Sequence, residues 1–309
     1  MPRMYCITTI LRNTSRGHRV LLKTANEVGH QAAKTVQSTK LVPRDQITLQ
    51  FQKELTRKWA LTNKDYAAWE SFHPKIALDH FAIWGFKGPI GRIQQVLHSL
   101  GYYDFDFKLF SKDAQKAYSW AHRDLPTDAV LFSVNEWDPT LSPASADLVK
   151  LTQKYADRTV LPEQEELTKL NEKLAKEGAL PEDEVARYVE LSTKLFTNNT
   201  PKIRVEEFDQ AHHEGCPSVA WTLTNGQTPN HLALRVSDLA HALRHEITPN
   251  YPNARGDQKF ADKTPGLSHS PLGAQSFVYP FSNGVAHRRL VKGTFLGFAQ
   301  RDLTQPLNA

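Results

Sequence analysis

Cysteine is nearly absent from this chain: 309 residues contain two, Cys6 and Cys216. They lie far apart and make no disulfide framework, so a reducing compartment is the default expectation. No apolar run approaches the roughly 20 residues that cross a bilayer. Glycine-rich phosphate loops, Walker sequences and the G-x-S-x-G elbow are missing, which argues against P-loop nucleotide hydrolysis and α/β-hydrolase chemistry. There is no RGG run, zinc finger or basic helix, so the formal charge of +5 reads as solubility rather than as a nucleic-acid footprint. Acids are scarce at the start. Arg3, Arg12, Arg16, Arg19, Lys23, Lys34 and Lys40 face one acid, Glu27, and Thr8, Thr9, Thr14 and Ser15 add hydroxyls. An Arg-rich, hydroxyl-rich, acid-poor beginning over residues 1–44 is the pattern of a mitochondrial leader, and a plain basic arm has the same composition.

The whole chain is 40% hydrophobic and 23% charged, and its length suffices for one large or two small domains with a sizeable core. Helical spacing of Leu49, Phe51, Leu55, Trp59 and Leu61 predicts a helix from about Asp45 to Phe72, closed by Pro74. Ala77–Phe86 reads as a buried strand and Ile90–Gly101 as an amphipathic helix. Strands are expected near Tyr103–Phe110, Ala117–Ala121 and Ala129–Asn135. Residues 142–200 turn charged and helical, with a hairpin bend at Gly178-Ala-Leu-Pro181, and read as an insertion packed on the sheet whose charge run is its solvated side. Ser218–Thr224 alternates like a strand, Thr228–Val236 follows as another, and Ser237 caps a helix to about His245. Pro249–Gly273 reads as a loop. Gln275–Phe281 and His287–Gln300 are the last two strands, with a turn at Ser282-Asn283-Gly284, and residues 304–309 are a tail.

A unit of strand, helix and three strands therefore occurs twice, and each copy opens on a strand carrying His-x-Ala: Asp79-His80-Phe81-Ala82 and Asn230-His231-Leu232-Ala233. Such a repeat predicts an α+β fold of paired half-sheets around a central cavity. Alternate strand residues share a face, so His80, Ala82 and Trp84 point one way, as do His231, Ala233 and Arg235. If the opening strands lie side by side, both imidazoles enter one cavity, and with one carboxylate they make the facial triad of a non-heme iron site. A lone strand histidine is more often a satisfied core residue. Other clusters are weaker: His212, His213 and Cys216 form a loose zinc pattern lacking a second cysteine, and Arg288, Arg289 and Lys292 read as a solvated strand face or a contact for phosphate or an acidic partner.

Several segments together resemble the 2-oxoadipate dioxygenase/decarboxylase (2-hydroxyglutarate synthase) family. They are Asp79–Phe86, Leu131–Pro143, the helical hairpin from Tyr155 to Phe196, Ala220–Gly226 with Pro229-Asn230-His231, Gln275-Ser276, Asn283-Gly284 and Gly297–Arg301. The resemblance spans residues 45–303 as one domain and implies a vicinal-oxygen-chelate-like fold. It implies metal ligation by His80 and His231, a glutamate ligand in the last strand, and an arginine four residues after the first histidine that holds a substrate carboxylate. The last two fail here: the glutamate position is Gly297 and the arginine position is Trp84. Glycine offers no donor, and an indole cannot form the bidentate pair that a guanidinium makes. Arg235 is a candidate replacement for the arginine, and Asp302, Asp79 and Glu136 for the carboxylate. By strand alternation Asp79 lies opposite to His80, and Asp302 opposite to Gly297 and Arg301.

The expectation is a catalytically inactive relative with no cofactor, a structural accessory subunit of a large mitochondrial assembly: ATP synthase, a respiratory complex or the mitoribosome. It would sit in the matrix or on the matrix face of the inner membrane, with other protein subunits as partners and nucleic acid a neighbour only in the ribosome. The alternatives are an active Fe(II)-dependent dioxygenase acting on 2-oxoadipate or a similar 2-oxo acid, and a small-molecule or metal-binding sensor.

Overall fold

The computed structural model describes residues 40–61, 77–110, 115–126, 128–141, 144–157, 161–197, 202–214, 217–242, 244–245, 267–271, 275–282, 286–291 and 296–301. The basic segment 1–39, Cys6, Cys216, Lys292, Asp302, the turn residues Asn283 and Gly284, and the tail 304–309 lie outside these residues. Among the described residues no helix is long and apolar enough to cross a membrane.

The framework is a mixed α+β fold with a sheet curled into a half-barrel. A short strand β1 (Leu41–Pro43) leads into α1 (Arg44–Ala60), whose Ile47, Phe51, Leu55 and Trp59 form a buried stripe at four-residue spacing. Asp45 in its first turn and Arg57 and Lys58 in its last complement the helix dipole. Next come β2 (Ala77–Phe86) and α2 (Pro89–Ser99), which starts on a proline, the residue that needs no amide partner there. Three strands follow: β3 (Tyr102–Phe110), β4 (Gln115–His122) and β5 (Leu131–Trp137). Gly101, between α2 and β3, has φ +94°. A β-carbon there would stand 2.9 Å from His122 Nε2 and 3.0 Å from Arg44 Nε, so only glycine fits this turn without a shift.

The inserted region contains α3 (Ala146–Asp157), α4 (Gln164–Glu177), a short strand β6 (Ala179–Pro181) and α5 (Glu182–Lys194). The bend expected at Gly178-Ala-Leu-Pro181 is real, but Ala179–Pro181 pairs antiparallel with β1 rather than forming a bare turn. The hairpin lies chiefly on other helices, α4 along α2 and α5 along α1, while Phe196 beyond it reaches Phe132 of the sheet. Its charges form exposed pairs such as Arg187 with Glu166 and Glu190.

After α6 (Val205–His213) comes α7 (Pro217–Asn225), where the alternation of Ser218–Thr224 had predicted a strand. The correction has a physical reason. Ser218 to Thr224 are buried throughout, so no exposed side sets a helical period. The threonine hydroxyls satisfy themselves within the helix, Thr222 donating to the Ser218 carbonyl at 2.8 Å and Thr224 to that of Ala220 at 3.0 Å. The second half then runs β7 (Pro229–Arg235), a short α8 (Leu239–Ala242), β8 (Leu267–Pro271), β9 (Gln275–Pro280), β10 (Ala286–Val291) and β11 (Leu296–Arg301). The segment read as a loop to Gly273 thus contains β8. The segment read as one strand, His287–Gln300, is two: β10 pairs with β9 in a separate hairpin, and β11 joins the main sheet.

The main sheet has the order β3-β4-β5-β2-β7-β11-β8. The opening strands β2 and β7 are antiparallel neighbours at its centre, each flanked by the last strand of its own half in parallel, β5 beside β2 and β11 beside β7. One side of the sheet, the helix face, carries Phe81, Ile83, Trp120, Phe132, Val134, Leu232 and Leu234, which join the apolar residues of α1, α2, α4 and α5 in one core. The other side carries Ala82, Ala117, Ser119, Ser133, Asn135 and Ala233, small or polar and several of them half-buried. This open face is covered at one end only, where Trp84, Phe86 and Trp137 meet a second apolar cluster formed by α3, α6 and α7.

Candidate functional site

The central strand pair brings His80 and His231 together on the open face. The register sets His80 opposite Ala233 and Ala82 opposite His231, so the two imidazoles sit on a diagonal flanked by methyl groups. Their Nε2 atoms face each other at 3.1 Å, with ring planes 82° apart. Two nitrogens bound at about 2.1 Å to one metal, at a right angle, would be roughly 3.0 Å apart.

Each ring is held from behind. Asp79 Oδ1 lies 2.7 Å from His80 Nδ1, so that nitrogen carries the proton and its Nε2 presents a lone pair. The Asn230 amide lies 3.3 Å from His231 Nδ1. If the amide nitrogen faces the ring, His231 Nε2 carries a proton and donates it to His80; if the amide oxygen does, two lone pairs converge and a cation is needed between them. The pair is joined by a proton or by a metal.

Strand alternation placed Asp79 opposite to His80, and the structure corrects this. The β2–β7 register skips between Leu78 and His80, leaving Asp79 as the extra residue of a β-bulge. The bulge lets a fully buried carboxylate turn back onto the neighbouring imidazole. Its other oxygen lies 3.7 Å from Arg235 Nε.

The residues expected to complete an iron site are elsewhere or lack donors. Gly297 is buried and pairs with Ala233, which pairs with His80, so these three form a row across β2, β7 and β11 on the open face. Glycine provides no side chain at this position. Trp84 lies on the same face toward the covered end, its ring edge-on to Trp221 at 6.2 Å. Arg235 stands opposite Ala77, at the other end of β2 from Trp84. Positions 77 and 84 are seven residue steps apart, about 23 Å, so Arg235 stands on the far side of the pair from Trp84. Glu136 pairs with Gly85 on the helix face, where burial pushes its carboxyl up despite Lys116. His212 and His213 are exposed at the end of α6, with His212 stacked on Phe208.

One cluster was not foreseen from the sequence. Asp45, His122 and Asp124 bring ligand-type atoms within 4.8 Å of one another, the one such group of three among the described residues. Both His122 nitrogens are already used, Nε2 donating to the Leu100 carbonyl at 2.8 Å and Nδ1 accepting from the amides of Asp124 and Leu125. Arg44 pairs with Asp124 at 3.4 Å. This is a structural knot, and the imidazole has no nitrogen left for a metal.

No family model matches the chain, and no curated protein matches it. Solved structures do. A protein described as a glyoxalase-superfamily member from Ralstonia eutropha JMP134 superposes with a TM-score of 0.71 at 20% identity, over 85% of both chains. An uncharacterized Shigella flexneri protein that includes domain DUF1338 gives 0.65 at 14%, over 84% of this chain and 70% of its own. The hydroxyglutarate synthase of Oryza sativa, solved with 2-oxoadipate, gives 0.61 at 15%, over 85% of this chain and 83% of its own. At such identities the likeness is one of fold, and that fold is the glyoxalase, or vicinal-oxygen-chelate, half-barrel with two joined modules.

Proposed function

We propose that this chain is a non-catalytic relative of the 2-oxoadipate dioxygenase/decarboxylases, keeping the scaffold and the histidine pair without the chemistry. The observation that supports this reading is the row His80–Ala233–Gly297, in which the residue at the position the resemblance gives to the third ligand has no donor. The two imidazoles fit a divalent metal as nitrogen donors, and the described residues offer no carboxylate to close a triad. Iron bound there would supply a redox centre for oxygen chemistry on a 2-oxo acid. Substrate positioning is also lost, because Trp84 fills its end of the face by packing on Trp221 and offers no charge for a carboxylate.

The cellular role proposed with it is that of an accessory subunit in a mitochondrial assembly, supported by the Arg-rich, acid-poor residues 1–40 and by the exposed apolar Leu41, Leu49 and Leu61. Two experiments test these claims. Full-length protein incubated anaerobically with Fe(II), then given 2-oxoadipate and air, is expected to show no O2 uptake and no CO2 release above buffer; substrate-dependent turnover refutes the first claim. Native size fractionation of the endogenous protein is expected to place it in a large particle of mitochondrial extracts; migration as a single free chain refutes the second.

A further inference from the structure

We infer that His241 and His245 form a surface metal site, separate from the central strands. The two imidazoles take one first-row transition-metal ion, Cu(II) most tightly, and the bound ion staples the turn that carries them. The inference stands apart from the reading given to Gly297 and Trp84.

Four observations support it. First, the spacing fits one ion. The ring centroids are 4.6 Å apart, with planes inclined at 38°, and residues four apart share one side of a helical turn. Two imidazoles holding one ion at a right angle, each through a nitrogen about 2.1 Å away, have centroids roughly 4.6 Å apart. Second, the rings are available. Both are exposed, and among the described residues neither imidazole has a hydrogen-bonding or ion-pair partner. It is the His241 backbone amide that donates to Asp238 Oδ1, at 2.9 Å. Other described histidines differ. His122 has both nitrogens spent, and His98 Nε2 lies 3.2 Å from Asp104. His212 and His213, adjacent in the chain, stand 6.5 Å apart at 90°. Third, the local charge tolerates a cation. Asp238 supplies a carboxylate at the start of α8, and the exposed Arg244 can hold its guanidinium out in water. Fourth, the turn gains from a staple. α8 spans four residues, too few to hold a helix by themselves, and His245 follows in a π turn beyond it. α8 lies beside β8 and β11, at the edge of the sheet. An ion held by both rings would close this turn through its side chains, so binding and local order are linked. Imidazole nitrogens suit zinc, nickel and copper, and among divalent ions of this row copper binds tightest.

The full-length protein, the single variants His241→Ala and His245→Ala, and the double variant would each be titrated with Cu(II) in a weakly coordinating buffer. Both rings are exposed, so all four proteins keep the fold. Each single variant is expected to bind one ion fewer, or to bind it about tenfold or more weakly, because the second ring of a pair adds at high effective concentration. The double variant should lose far less than the sum of the two single losses, since a chelating pair fails as a unit. Amide hydrogen exchange over residues 237–245 should slow when Cu(II) is added to the wild-type protein, and stay unchanged in the variants. Cu(II) binding equal in the wild-type and single-variant proteins, losses that simply add in the double variant, or binding without slower exchange at this turn overturns the inference. These readouts involve no turnover and no residue of the central strands, so they stand or fall apart from the 2-oxoadipate assay.

Discussion

The two faces of the central sheet are made from alternate residues of the same strands, yet they treat histidine in opposite ways. His122 belongs to the helix face, where its ring stands edge-on to Tyr102 and every nitrogen is spent on backbone groups. His80 and His231 belong to the open face, where their Nε2 atoms are turned toward each other and held from behind by polar side chains. A histidine in an apolar core must satisfy both nitrogens locally, because an unmet buried donor or acceptor costs roughly 1–3 kcal/mol. On the open face that rule is relaxed, and what the rings hold between them is free to change. The packed core and the histidine pair therefore sit on separate sides of one sheet.

The sharpest way to break this comparison is to damage the helix face and look for an effect on the site. Phe132 is fully buried and packs against Phe51, Phe81, Tyr102 and Phe196. Phe132→Ala should cost about 3–5 kcal/mol of stability in a urea melt. The fraction that remains folded should keep its Co(II) affinity. If affinity falls in step with stability, the two faces are not independent.

The converse damage is Asp79→Asn. The amide keeps the size of the carboxylate and loses its charge toward both His80 and Arg235. Metal affinity should drop about 10- to 100-fold, as is usual when a partner behind a ligand is removed. Stability should move less than in Phe132→Ala. An unchanged metal affinity would reduce Asp79 to a structural role.

A pH experiment probes the buried histidine. Burial pushes the His122 imidazole below its ordinary value, opposed by its hydrogen bond to the Leu100 carbonyl and by Asp45 and Asp124, with Arg44 lowering it further. The unfolded chain then holds more protons than the folded one below about pH 6.5, so this contribution is present above that pH and is lost as pH falls. His122→Asn should flatten the stability curve between about pH 5 and 7 relative to the wild-type protein, apart from any uniform loss. An identical slope in both proteins would show that His122 is not the titrating group.

How much of this was legible beforehand depends on which physical signal each element carries. β2, α1 and α2 announce themselves because one side is apolar and the other is not, and the His-x-Ala strands mark the two module openings. α7 was read as a strand because it is buried on all sides, and burial without an exposed edge erases the period on which such readings depend. The Asp79 bulge was invisible for a related reason: alternation assumes an unbroken register, and one extra residue reverses the side on which a side chain falls. The reading of Gly297 and Trp84 as positions of a lost ligand and a lost arginine came only through family resemblance. That Arg235 lies across the site from Trp84 needed the pairing of β2 with β7.

The smallest expected effect gives the finest test. Ser133 and Val134 are neighbours in β5; Ser133 is half-buried on the open face opposite Ala82 and Ser119, and Val134 is fully buried on the helix face. Val134→Ala removes two buried methyl groups and should cost on the order of 2 kcal/mol. Ser133→Ala removes one hydroxyl from a surface that already consists of alanine, serine and glycine, and should stay within about 0.5 kcal/mol. Parallel thermal melts of both variants measure the contrast at adjacent positions, where backbone propensity and sheet position are as matched as the chain allows. Equal losses would mean that the open face is packed as tightly as the core.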